Sequence, residues 1–170
     1  AADPAVALEQ ALAALDALEQ AGVKLDRGGV DLRLARKHLT ERQAAQRNSQ
    51  ARAQAREAAL AIDEARAQLS LTKCEAAMRG LQALDTHDIS AEMRLEIDRV
   101  LKHATDLISV LERIDQARAE IDRHSAASNL SYACRLAQRL ARDNPQLPRL
   151  AEEALDRERV LWRWITNGAR

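Results

Sequence analysis

The sequence predicts an all-α protein, from the residues it lacks, the residues it favours and the spacing of its apolar positions. In 170 residues there is no Phe, one Tyr (Tyr132), five Gly and three Pro. Ala, Leu, Arg, Gln and Glu dominate instead. Strands draw on β-branched and aromatic side chains, whereas these residues lose little rotamer freedom in a helix. Apolar positions recur three and four apart through most of the chain, the period of one helix face. Much of the 46% apolar content is alanine. Because buried area sets the hydrophobic gain at about 25 cal/mol per Å², an Ala-rich core implies thin packing.

The first helix is predicted over 4–21. Asp3 and Pro4 suit its start, Gly22 suits its end, and Leu8, Ala11, Leu12, Leu15 and Leu18 share a face. A connector with Gly28 and Gly29 leads to Asp31, the next cap. From Asp31 to Arg79 neither Pro nor Gly intervenes, so one helix is expected over 31–79, about 74 Å long at 1.5 Å per residue. Its seam is Ala55, Ala59, Ile62, Ala65, Leu69 and Ala76, with Asn48 and Ser49 its weakest point and Gly80 its end. Asp85–Ser90 is rich in short polar side chains that bond their own backbone, and reads as a turn. The strongest seam follows: Ile97, Val100, Ala104, Leu107, Leu111 and Ile114, interrupted at Arg118 and resumed at Ile121. That helix is expected over 90–143, with 125–129 a weak stretch, and Pro145 stops it. Pro148 opens the last helix, over 148–166, with Leu150, Ala154, Leu155, Leu161, Trp162 and Ile165 facing inward.

Two long helices joined by one short turn imply a single domain over 1–170. Its expected architecture is an antiparallel, coiled-coil-like hairpin with its tip at Asp85–Ser90 and the terminal helices packing at the open end into a four-helix base. The alternative is a compact bundle of five or six shorter helices, broken near Asn48 and Ser125. Charge supports contact between the acidic first helix (Asp3, Glu9, Asp16, Glu19) and two basic flanks, Arg33–Arg56 and Arg123–Arg142; Asp31–Leu60 carries seven basic and three acidic residues. Such surface pairs contribute about 0–1 kcal/mol each and choose orientation more than they stabilise.

Formal net charge is zero, which argues against a surface built wholly for nucleic acid or anionic lipid. No stretch reaches the roughly 20 apolar residues of a membrane span. Cys74 and Cys134 fall short of a disulfide scaffold and are expected as free thiols. The start at Ala1 fits an excised domain or a processed chain.

Catalytic and metal-binding patterns are not found. His38, His87, His103 and His124 form neither Glu-x-x-His nor His-Glu-x-x-His pairs, and Gly28-Gly29 lacks the residues of a phosphate loop. No catalytic residue, cofactor or metal is therefore assigned. Binding is more legible. Trp164, with Val160 and Arg163, is expected to project from the last helix as an anchor for a protein partner, self or other. Thr86, His87 and Ile89 are expected to be displayed at the tip. Arg36, Arg42, Arg47, Arg52 and Arg56 could hold an anion or nucleic acid, but no aromatic residues interleave for base stacking. The expected function is a non-enzymatic interaction or scaffold module of a larger bacterial protein or complex. The alternatives are an extracytoplasmic helical sensor or adaptor, and nucleic-acid binding through 33–56. The cytoplasm is favoured over the periplasm.

Overall fold

A computed structural model describes residues 4–21, 32–86, 88–126 and 128–168. These form six helices and no strand: α1 (Pro4–Gln20), α2 (Leu32–Gln68), α3 (Leu71–Gln82), α4 (Ala91–Ala126), α5 (Leu130–Asp143) and α6 (Pro148–Gly168). By contacts the chain divides into two compact units, Ala1–Ala55 with Leu84–Ile97, and Arg56–Ala83 with Asp98–Arg170. Long helices α2 and α4 contribute to both.

The expected helix 31–79 is corrected: it is two helices, and the chain reverses at Leu69–Ser70. Leu69 takes φ 51°, the left-handed conformation usually left to glycine. The Ser70 N–H donates to Ala65 O at 2.9 Å and the Leu69 N–H to Arg66 O at 3.2 Å, the paired bonds of a Schellman cap. Ser70 then caps α3, its hydroxyl accepting from the Lys73 N–H. Beyond the turn, Lys73 Nζ lies 3.1 Å from Glu64, a contact that a straight helix nine residues apart forbids. A left-handed Leu costs about 1–2 kcal/mol. Burying its side chain, 4% exposed here, returns about 1.5–3 kcal/mol. Burial wins, and leucine does the work of a glycine.

The same device ends α4 where a weak stretch was expected. Ser128 has φ 60°, with the Ser128 N–H donating to Ser125 O and the Asn129 N–H to His124 O. Gly80, by contrast, lies inside α3 and stops nothing.

In the first unit Ala51, Ala55, Ile89, Met93 and Ile97 are buried. Arg36 of α2 pairs with Asp16 and Glu19 of α1, as expected for the Arg33–Arg56 flank. The segment expected to form a hairpin tip lies instead along α2. Arg47 pairs with Asp88, and Asn48 Oδ1 accepts the Ser90 N–H at 2.8 Å. Asn48 therefore helps to seat the start of α4 and does not break α2.

The second unit holds the larger core. Ile62, Ala65 and Leu69 of α2, Cys74 of α3, Ala104, Leu107, Leu111 and Ile114 of α4, and Leu147 and Leu150 form one cluster. The α4 seam is thus the one its spacing predicts. A second cluster joins Ile121 of α4, Ala133 and Ala137 of α5 and Ala154 of α6. Its small side chains permit close helix approach, in keeping with the composition.

Candidate functional site: the free end of α6

Pro145 ends α5 as expected. A tight turn follows, the Leu147 N–H donating to Asn144 O at 3.0 Å, and Pro148 opens α6. α5 and α6 pack on one another, antiparallel because their link is so short. α5 has 14 residues and α6 has 21. With Ala137 and Ala154 in one cluster, this pairing brings Leu130, the first residue of α5, opposite Leu161.

A second register gives the same answer. Arg118 of α4 makes a two-pronged ion pair with Glu153 of α6, its Nε 3.1 Å from Oε2. Arg157 donates to Asp122 at 2.8 Å. Both contacts are separated by 35 residues, so α6 runs parallel to α4, and Ala126 at the end of α4 lies opposite Leu161. Arg118, which interrupts the α4 seam, is thus the residue that fixes α6. From Trp162 onward α6 has neither α4 nor α5 beside it.

The consequence is an exposed apolar end. Trp162 is 59% exposed, Trp164 60%, Val160 52% and Ile165 42%, with Leu155 54% exposed two turns earlier. Both tryptophans of the chain are therefore on the surface. The expected inward placement of Leu155, Trp162 and Ile165 is corrected: Trp162 and Ile165 lie beyond the helices that would cover them, whereas Leu155 has neighbours but faces the open groove between α5 and α6. The expected partner-facing residues Trp164, Val160 and Arg163 are all exposed. The exposed apolar side chains fall on two sides of the helix, Val160 with Trp164 and Trp162 with Ile165, and so many large apolar side chains exposed on a few turns mark an interaction site.

An open groove of about 490 Å³ runs between the last turns of α5 and the first half of α6. Ala141 and Arg142 line it from α5, and Ala151, Ala154, Leu155 and Glu158 from α6. Beneath, burial pushes the Cys134 thiol up from its ordinary pKa, with the Glu158 carboxylate adding to the shift. Burial likewise raises Cys74, with Glu75 adding, and the Cys74 thiol donates to Ala104 O at 3.8 Å. Both thiols are free and buried, an environment that favours the unreactive protonated form.

The other expected site residues do not assemble. Ile89 is buried and not displayed, because the segment before α4 lies on α2. Thr86 is exposed, and His87 lies outside the described residues. Arg36 and Arg47 are held by carboxylates, whereas Arg42, Arg52 and Arg56 are exposed. His38 lies 3.6 Å from Glu41 in a surface pair. Among the described residues no three His, Cys, Asp or Glu side chains converge as a metal site, and no helix is long and apolar enough to cross a membrane. Compared with family models, curated proteins and solved structures, the chain finds no match.

Proposed function

We propose that this chain is a non-enzymatic helical interaction module of a larger bacterial protein or complex, docking a protein partner through the free end of α6. The observation that supports the reading is the gathering of Val160, Trp162, Trp164 and Ile165 on the last turns of one helix, all exposed. Tryptophan is the residue most enriched among interface hot spots, since its large face is ordered at low entropic cost. Arg157 and Arg118 anchor the preceding turns through Asp122 and Glu153, so the end is presented on a fixed base. A scaffold role needs no cofactor.

A photo-cross-linking residue at Arg163, introduced in the native host, tests this reading. A discrete protein adduct is expected, lost when Val160→Ser and Trp164→Ser are combined. No adduct, or one indifferent to those changes, rejects it. Nucleic-acid binding has weaker support, because carboxylates already occupy Arg36 and Arg47. A salt-dependent shift of labelled DNA or RNA, abolished by Arg42→Gln with Arg52→Gln, would move the function there.

A further inference from the structure

We propose that the partner is a second copy of this chain, with the two α6 helices packed antiparallel about a two-fold axis. This rests on α6 being a docking helix and uses its other side, the one that carries Leu155, Trp162 and Ile165 rather than Val160 and Trp164. Three features of α6 carry it.

The first is spacing. Ala151, Leu155, Glu158, Trp162 and Ile165 fall 4-3-4-3 apart, the interval of a coiled-coil seam. The seam runs down the side of α6 that borders the groove, and its two largest members, Leu155 and Trp162, are more than half exposed.

The second is charge. Along the outer flank of that seam the earlier turns carry Glu152 and Asp156, and the later turns carry Arg159 and Arg163. All four are exposed, and Arg159 pairs with Asp156 of its own helix at 2.9 Å, a surface contact weak enough to exchange for one across the interface. A parallel pair would set each charge against its own copy. An antiparallel pair sets Glu152 and Asp156 of one chain against Arg159 and Arg163 of the other, twice over. Self-complementarity of this kind is what a two-fold interface requires, since residue i meets j and j meets i.

The third is shape, and it fixes the same register. When Glu152 lies beside Arg159 of the second copy, the seam places Trp162 of that copy opposite Ala151. Ala151 lines the groove with Ala141 and Ala154, between the longer side chains of Gln138, Arg142, Leu155 and Glu158. The largest side chain of one copy thus meets the groove of the other at its small residues. Arg142, at the same groove, is placed to lie over the indole face. Each copy carries both the knob and the hole.

One helix and one groove per chain make an interface at the small end of the range, below about 1,200 Å² in total, so the pairing is reversible. Sedimentation equilibrium on the full chain is expected to show a monomer–dimer equilibrium with a dissociation constant on the order of 10 μM. Trp162→Ser should weaken it at least about tenfold, a loss typical of an anchor residue. The charges make the sharper test. Arg159→Glu should weaken the dimer several-fold, and adding Glu152→Arg should restore it, with the salt dependence returning as well. Because Glu152 and Arg159 are exposed, none of these changes should alter the helical circular dichroism. A monomer up to about 1 mM, a dimer indifferent to Trp162→Ser, or a double swap without rescue would each overturn the pairing. If the chain is monomeric while the Arg163 cross-link still captures a different protein in a Trp164-dependent way, self-pairing falls and the docking reading stands.

Discussion

The two ends of α6 are built from the same kinds of residue and meet different fates. Leu150 and Ala154 are buried, whereas Val160, Trp162, Trp164 and Ile165 are open to solvent. Hydrophobicity does not separate them, since the exposed end holds the larger apolar side chains. What differs is the length of the neighbours: α4 stops at Ala126 and α5 begins at Leu130. Burial is therefore decided by where other helices end, and a side chain's own chemistry sets only how much free energy is at stake.

The comparison is sharpest in stability. Leu150→Ala removes a buried side chain from the main cluster and is expected to cost about 2–5 kcal/mol, read as a lower denaturation midpoint. Trp164→Ser, a larger truncation at the open end, should cost less than about 0.5 kcal/mol. Comparable losses at the two positions would mean that something in the isolated chain covers the end of α6.

The reversal at Leu69 gives a smaller effect. Leu69→Gly relieves a left-handed backbone but forfeits a buried side chain, so a net destabilisation of about 1 kcal/mol is expected. A gain in stability would mean that strain outweighs burial there.

Gly80 is smaller again and of opposite sign. Nothing lies within 4 Å of a Cβ added at this helical position. Gly80→Ala should therefore stabilise by about 0.5–1 kcal/mol through helix propensity and a less mobile unfolded chain.

The weakest effect is with pH. Burial raises the pKa of Cys74 and Cys134 in the folded state, so the folded chain holds those protons more tightly than the unfolded chain. Their contribution is intact below the unfolded thiol pKa, about 8.5, and is lost as pH rises through the folded values. Denaturation followed between pH 7 and 10 should show stability falling at the alkaline end, and a Cys74→Ala, Cys134→Ala variant should fall less.

Legibility in the sequence was uneven for physical reasons. The α4 seam could be read because Ala104, Leu107, Leu111 and Ile114 all face one core, so period and burial coincide. Its interruption at Arg118 marked a real contact, the ion pair with Glu153. The break at Leu69 was hidden, because the rule that helices end at glycine reads local cost and cannot see the pocket that rewards a leucine. Ser70, a capping residue within the expected helix, was the only local sign. At the free end of α6, Trp164 was legible as an outward residue, since two tryptophans two apart cannot share a helix face. Trp162 was not, because its stripe continued from Leu150.

The sequence by itself determined the helical class and the facing of the long seam, since propensity and a 3.6-residue period are local properties. Only the tertiary structure decided where α2 turns back, that Ile89 is covered and that α6 outruns its neighbours. Those outcomes depend on which distant surfaces meet, and the free energy of burial belongs to the meeting rather than to either segment alone.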